Sequence, residues 1–309
     1  MTEARDALFD LLASWVRSDG RFAHLTAIDR HVAGREPGIF IKHDVHDLDL
    51  ERLVSFAERE ADLGVTGTYF FMPPDHPRTR KAYDFSDQIR AMKAVAACGH
   101  ELGLHIDPFF LIAEEKRTLR AVLEDMLACF AGHGVTFRIG NMHGNSRHKH
   151  PDLDGYGTSF DLFDETARQQ DYPKLSRVPA ESAAIIRANR MNLAELGFTH
   201  WADMPVWSAQ NGFIVTNFIT DNRFGKDGTY EFIIDELTCG AYLKSTIQLP
   251  GSRKRSRGET VVVRDLPSKN FEAPIHERIA LTGGALAARF GEASRIMPLL
   301  VLLHPEFYC

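Results

Sequence analysis

Between residues 38 and 140, short apolar runs alternate with amphipathic segments, and this alternation most limits what the chain can fold into. Runs rich in β-branched and aromatic residues predict strands; they are GIFIKHDV (38–45), VTGTYFFM (65–72), HELGLHI (100–106) and VTFRIG (135–140). The intervening segments have apolar residues every three or four positions, which predicts helices, one of them over 113–134. Strand–helix–strand repetition predicts a parallel sheet with helices packed outside it.

The second half of the chain shows the same pattern more loosely. After about residue 145 comes a polar, turn-rich stretch, and further strands are predicted in GFIVTNFIT (212–220), YLKSTIQLP (242–250) and PLLVLLH (298–304). Interleaved strands and helices over this length predict an α/β fold, a distorted (β/α) barrel of about seven strands in a single domain. We expect residues 38–309 to form the barrel and residues 1–37 to be a helical extension packed on it.

Charge and composition narrow the classes of function. The net charge is −6, which argues against a dedicated nucleic-acid-binding protein. No apolar run approaches the roughly 18 residues that a membrane span needs, so we expect no membrane span. The N-terminus MTEARDALFD contains acids and lacks the basic start of a signal peptide, and the four cysteines are widely spaced. These features predict a cytoplasmic protein.

The first strand ends in an unusual cluster of histidines and acids, HDVHD (43–47). Side chains alternate between the two faces of a strand. One face of this strand therefore carries Phe40, Lys42, Asp44 and His46, and the other carries Ile39, Ile41, His43 and Val45. The second face is mainly apolar, so we expect His43 to pack towards the helices, outside any site. Asp47 and Asp49 are interpreted as caps of the next helix, whose first N–H groups favour carboxylates.

Three other predicted strands also end in polar side chains. In HELGLHID the alternation puts His105 and Asp107 on one face, and it puts His100 with the leucines as a structural residue. His143 follows the strand VTFRIG, and His304 ends the last strand. Because the carboxyl ends of parallel strands meet at one edge, we expect Asp44 and the histidines to cluster there.

Imidazoles and carboxylates in one cluster are the ligands of Zn²⁺ and similar ions. A bound ion activates water and polarises a carbonyl, while a nearby carboxylate and histidine move protons. The cluster therefore indicates hydrolysis of an amide or ester. The alternative for each histidine taken singly is a hydrogen-bonded or solvated turn residue.

The segments IKHDVHDLDLERLVSFAEREADLGVTGTYFFM (41–72) and GHELGLHID (99–107) together resemble the polysaccharide deacetylase family, also called the NodB-homology family or carbohydrate esterase family four. They are most similar to a branch whose first motif reads His-Asp-Val-Asp and which occurs with cell-surface polysaccharide biosynthesis. MHGNS (142–146), VTNFITDNRFGKDG (215–228) and LLHPEF (302–307) are similar to that branch too. The resemblance implies a distorted barrel, a divalent metal ion, and removal of an acetyl group from an N-acetylated sugar.

The resemblance also implies roles for individual residues. Asp44 would be the catalytic base or a metal ligand, His105 a ligand, and His304 the catalytic acid. The sequence departs from the family at two positions, because Phe109 stands where a second histidine ligand is usual and position 46 is His instead of Asp. The ligands would then be Asp44, His46 and His105, and His143 would be a further candidate. The ion would be Zn²⁺, with Co²⁺, Ni²⁺ or Mn²⁺ as alternatives.

Four further polar residues are candidates for substrate binding. Arg138 is expected to orient the catalytic acid, as an arginine does in the family, or else to pair with a surface acid. Asn145 would touch substrate or hold its own turn. Asp203 and Asp221 follow or end strands and would orient a catalytic histidine or bind sugar hydroxyls.

These interpretations lead to one expected function and two alternatives. The expected protein is a metal-dependent deacetylase of a small, oligosaccharide or nucleotide-linked N-acetylated sugar, in lipopolysaccharide (O-antigen) or other surface polysaccharide biosynthesis. One alternative is hydrolysis of another C–N bond, in a cyclic amide or formamide. The other is a non-catalytic sugar-binding relative with an altered metal site, which Phe109 suggests. The basic run SRKRSRG (252–258) is a solvated loop or a contact for an anionic substrate.

Overall fold

The computed structural model describes much of the chain, with gaps. It describes residues 2–17, 20–34, 36, 38–46, 49–73, 84–115, 117–143, 162–163, 180–203, 206–214, 217–224, 229–238, 241–248, 262–264 and 298–308. The basic run 252–258, Asp47 and Asn145 lie outside these residues. Two compact units form: Met1–Tyr69 with Lys81–Glu101 and Val215–Cys309, and Phe70–Arg80 with Leu102–Ile214. Residues 1–37 belong to the first unit, together with the first strand.

The described residues alternate between helices and strands, which confirms the α/β class. The helices are α1 (Thr2–Arg17), α2 (Ile28–Gly34), α3 (Leu50–Asp62), α4 (Phe85–Ala97), α5 (Pro108–Glu115), α6 (Leu119–Gly132) and α7 (Ala180–Ala188). The strands are β1 (Ile39–Val45), β2 (Gly67–Phe71), β3 (Glu101–Ile106), β4 (Ile139–Met142), β5 (His200–Trp201), β6 (Val206–Ser208), β7 (Gly212–Ile214), β8 (Asn217–Phe224), β9 (Thr229–Thr238), β10 (Ala241–Gln248), β11 (Val262–Arg264) and β12 (Leu299–Leu303). Three-residue 3₁₀ helices lie at Leu25–Ala27, Ala194–Leu196 and Pro305–Phe307.

Each unit combines parallel and antiparallel strands. In the first unit β1 pairs with β12 and β12 with β8 in parallel, whereas β8, β9, β10 and β11 pair in antiparallel order. In the second unit β3, β4 and β5 are parallel, and β6 and β7 continue antiparallel. The connections between β8 and β10 are too short for a crossover, so these strands form hairpins. The described residues thus contain twelve strands, more than the expected seven or so, and closure into a barrel stays a prediction.

Two predicted boundaries in the second unit are wrong. The helix predicted over 113–134 is two helices, because Thr118 accepts a hydrogen bond from Ala121 N and so caps α6 as a separate helix. The strand predicted from residue 135 begins only at Ile139, four residues later. Val135 and Phe137 are buried ahead of β4, so their apolar alternation reflects packing of an irregular segment.

The β1–α3 unit follows the sequence closely. The side chain of Asp49 accepts hydrogen bonds from Glu51 N and Arg52 N, so it caps α3 as predicted. The segment that follows α3 turns at Gly64, whose φ of 77° favours glycine. The helix α3 lies against the face of β1 that carries His43.

A polar network is buried between β1, β2 and α3. His43 Nε2 donates to Glu60 Oε2 at 2.9 Å, and the Tyr69 hydroxyl donates to the same oxygen at 2.7 Å. The His43 ring lies against the Tyr69 ring, with centroids 4.1 Å apart. Beside them His100 donates from Nε2 to a backbone carbonyl and accepts at Nδ1 from Gly67 N. Burial lowers the pKa of His100, which favours this neutral form. The structural interpretations of His43 and His100 are therefore confirmed.

The described residues before β1 include the helices α1 and α2 and pack within the first unit, whereas their packing on a barrel stays a prediction. The Phe9 ring of α1 lies 5.0 Å from the Phe56 ring of α3, and Asp6 pairs with Arg59. Within the described ranges, no helix combines the length and apolar character needed to cross a membrane. The cytoplasmic location stays a prediction.

Removing the Tyr69 hydroxyl tests the buried network. We expect Tyr69→Phe to lower the free energy of unfolding by roughly 1.5–3 kcal/mol, because a buried carboxylate loses a donor that water cannot replace. Urea unfolding monitored by circular dichroism measures the change. A loss below about 0.5 kcal/mol would mean that the network contributes little.

Candidate functional site

The carboxyl end of β1 places three charged or polar side chains on one face, as the alternation predicts. Lys42, Asp44 and His46 are all buried there. Lys42 Nζ lies 3.9 Å from Asp44 Oδ1. Opposite charges at this distance inside a protein attract each other. Asp44 therefore has a cation beside it on its own strand.

His304 lies beside this cluster because of the strand register. β1 and β12 pair so that His43 is opposite Leu303, which brings the next residues, Asp44 and His304, to the same edge of the first unit. Asp221 of β8 accepts from His304 twice. Its Oδ1 is 2.5 Å from His304 Nδ1, and its Oδ2 is 2.8 Å from the His304 backbone N. Asp221 is thus in position for the first of its two predicted roles, the orientation of a catalytic histidine.

The electrostatic surroundings of His304 make it a cation at neutral pH. Burial lowers its pKa, but the charge of Asp221 and its hydrogen bond outweigh this effect, and Asp44 and Glu306 add to them, which raises the pKa to about 9. A protonated imidazole that donates from Nδ1 to Asp221 can give up its second proton from Nε2. That arrangement suits a general acid.

His46 is held by a residue that the sequence did not single out. Its Nδ1 donates to Glu306 Oε1 at 2.8 Å, and Glu306 lies in the 3₁₀ helix directly after His304. The His46 and His304 rings are nearly parallel, with centroids 5.6 Å apart. The first unit therefore brings together Asp44, His46 and His304 of the predicted site.

The second unit holds two of the predicted ligand residues. The register of β3 and β4 pairs His105 with Asn141, and Asn141 Oδ1 accepts from His105 Nδ1 at 2.6 Å. His143 follows β4, and its backbone N donates to Ile106 O, which extends the ladder by one residue. The His105 and His143 rings are 5.1 Å apart at 78°, so these two histidines form a pair.

Two neighbours of the pair complete its surroundings. Asp107 Oδ2 lies 3.7 Å from His143 Nδ1, while its Oδ1 accepts from Phe110 N at the start of α5. Phe109, which stands where the resembled family has a histidine, is 3% exposed and belongs to the apolar core of α5. The fold therefore uses position 109 for packing.

The remaining predicted substrate residues lie elsewhere. Arg138 is exposed and immediately precedes β4, whereas His143 follows β4, so the structure does not bring Arg138 to the histidine pair. Asp203 accepts from Met142 N and from the Trp201 indole, and so holds the end of β4 in place. Substrate contact by Asp203 stays a prediction, and Asn145 lies outside the described residues.

Three histidines share one arrangement that fits a metal ion. In each, Nδ1 faces a side-chain oxygen: Glu306 for His46, Asn141 for His105 and Asp107 for His143. A neutral imidazole that donates from Nδ1 carries its lone pair on Nε2, and such orientation is typical of metal-ligating histidines. Imidazole nitrogens suit Zn²⁺, Co²⁺ and Ni²⁺. The donors of each unit therefore fit a divalent transition-metal ion.

Comparison with known proteins adds nothing to this geometry. No family model, no curated protein and no solved structure matches the chain. The resemblance to polysaccharide deacetylases thus stays an expectation drawn from the motifs.

Sequence reasoning missed the orienting residues Asn141 and Glu306. Asn141 could have been found by pairing the two strands HELGLHI and FRIGNM in parallel, with their polar ends aligned. Glu306 had a weaker signal, an acid two residues after the terminal histidine in LLHPEF. Lys42 was placed on the correct face of β1, but no role was assigned to it.

The raised pKa of His304 predicts a pH-dependent stability. The pKa in the folded state, about 9, exceeds the ordinary value of 6.5, so protonated His304 stabilises the fold fully below pH 6.5. This contribution, about 3 kcal/mol, is lost as the pH rises through 9. We expect the free energy of unfolding of chelator-treated protein to fall between pH 6.5 and about 9. The free energy of unfolding of His304→Gln should not show this fall.

An NMR titration of the His304 ring checks the cause. The signal, assigned by its absence in His304→Gln, should titrate near pH 9, and at least one unit lower in Asp221→Asn. A midpoint near 6.5 in both proteins would contradict the arrangement described for Asp221.

Proposed function

We propose that the protein is a metal-dependent hydrolase that removes an acetyl group from an N-acetylated sugar. The observation that carries the proposal is the proximity of a buried carboxylate, Asp44, to a histidine that Asp221 keeps protonated, His304. Base and acid on adjacent strand ends are what amide hydrolysis needs, because one group must accept a proton and the other must supply one.

The proposed metal ligands are the three oriented histidines. His105 and His143, whose rings pair within the second unit, and His46, whose ring Glu306 orients within the first, are the imidazole ligands that the sequence predicts. Zn²⁺ is the first choice, with Co²⁺, Ni²⁺ and Mn²⁺ as alternatives. When bound, such an ion lowers the pKa of water and polarises the substrate carbonyl.

Each remaining residue has one proposed role in the reaction. Asp44 accepts the proton of the attacking water, and the nearby Lys42 holds the Asp44 carboxylate in place. His304 donates the proton from Nε2 to the departing amine nitrogen, while Asp221 holds the ring through Nδ1.

The choice of an acetylated sugar comes from the motifs, whereas hydrolysis comes from the residues. A small or nucleotide-linked N-acetylated sugar of surface polysaccharide biosynthesis is the substrate we propose. The same acid and base would also serve hydrolysis of a cyclic amide or a formamide. The product released therefore distinguishes these substrates.

Substitution of the base is the most direct test of the proposed reaction. In a panel of N-acetylated sugars and formamides, the wild-type protein should release acetate, and Asp44→Asn should lower kcat by roughly 10²–10⁴-fold, the usual contribution of a general base. Chelation should abolish activity, and added Zn²⁺ or Co²⁺ should restore it. Asp49→Asn, which changes only the cap of α3, is the matched control and should keep its activity.

Three outcomes would contradict parts of the proposal. Formate release without acetate release would replace the substrate class. Full activity of metal-free protein would exclude a metal-dependent reaction. Less than about a tenth of an equivalent of metal in untagged protein, with no thermal stabilisation by added ions, would favour a non-catalytic sugar-binding protein, since a bound ion stabilises by mass action.

A further inference from the structure

The side chain of Glu306 is partly buried, and packing alone does not explain why a carboxylate occupies this position. Its side chain is 19% exposed, and Oε1 accepts from His46 Nδ1 at 2.8 Å. Its other oxygen, Oε2, is buried and accepts no hydrogen bond from the residues that the structure describes. Burial of a carboxylate oxygen without a donor costs free energy, so a Glu at this position needs a compensating role.

Two explanations are open for this cost. In the first, Glu306 ties the terminal 3₁₀ helix to the end of β1 and acts only on stability. In the second, Glu306 sets the tautomer and ring direction of His46, as carboxylates do for metal-ligating histidines. The short bond to Nδ1 fits both explanations. The buried setting of His46 favours the second, because a buried polar pair is a costly way to fasten one turn of 3₁₀ helix.

The chemistry of imidazole gives the second explanation a reason. An imidazole binds an ion well only if its ring is fixed and its Nε2 carries the lone pair. A histidine that binds an ion therefore requires an acceptor for its Nδ1, and Glu306 is that acceptor for His46.

We infer that Glu306 is a positioning residue for His46, which orients the ring so that the Nε2 lone pair can bind the metal ion. This inference rests on the proposed function, since it concerns the same ion. It goes further by assigning the orientation of His46 to a carboxylate of the 3₁₀ helix Pro305–Phe307.

Metal affinity of the untagged full-length protein tests the inference without any activity assay. Competition with a chromophoric chelator gives the dissociation constants for Zn²⁺ and Co²⁺. We expect Glu306→Ala to weaken binding by roughly 10–100-fold, the usual effect of removing an orienting partner. Glu306→Gln keeps an acceptor oxygen and should recover part of that loss. Glu195→Gln, at an exposed glutamate paired with Arg120, is the matched control and should bind as the wild type does.

A double-mutant cycle separates orientation of His46 from a general charge effect. If Glu306 acts through His46, then Glu306→Ala in a His46→Ala background should weaken binding no further. The Co²⁺ absorption spectrum should change in His46→Ala and in Glu306→Ala, because both alter the coordination of the ion. If Glu306→Ala does not fold, Glu306→Gln gives the answer, with a smaller but measurable weakening.

Failure of the inference differs from failure of the proposed function. Wild-type affinity in folded Glu306→Ala, or further weakening in the double variant, would overturn the role of Glu306 while leaving the metal site intact. A wild-type protein that binds neither ion would overturn the proposed function itself.

Discussion

The hydrogen bond between His43 and Glu60 determines which face of β1 carries Asp44 and His46. Side chains alternate along a strand, so a histidine fixed to α3 at position 43 commits positions 42, 44 and 46 to the opposite face. A register shift of one residue in β1 would turn its apolar side chains away from α3. It would also separate Glu60 from His43, its partner in the core. The polar network on the helix side and the polar cluster on the site side therefore depend on each other through one backbone.

The histidines within each unit share a second constraint, the orientation of their rings. An imidazole with no acceptor at Nδ1 samples two tautomers and several rotamers, and each alternative weakens binding or proton transfer. Within the first unit a carboxylate oxygen lies next to Nδ1 of His46 and of His304, and within the second unit the amide oxygen of Asn141 accepts from His105. The charge of Asp221 raises the pKa of His304 in spite of burial, which suits the proposed acid.

Local patterns predicted the parts of the fold that local interactions decide. The strand β1, the cap Asp49 and the separation of His43 from Asp44 follow from alternation and capping chemistry alone. The pairs Asn141–His105 and Glu306–His46 depend on the register between distant segments, which no local pattern contains. The start of β4 was misjudged because apolar alternation in VTFRIG reflects packing ahead of β4, and the hairpins of β8 to β10 lie where the strand signal was weakest.

Hydrogen bonds from two threonines near the amino ends of the strands limit where the chain can be truncated. Thr26 and Thr68 both donate to the carboxylate of Glu101, and Leu25 N donates to Thr68. The segment before β1 thus packs at the amino ends of β2 and β3. Phe9 of α1 packs on Phe56 of α3. A fragment starting at residue 38 would present a bare acid and an aromatic surface to water. The amino-terminal helices are therefore structural components of the first unit, and a fragment without them would lose part of the packing around α3.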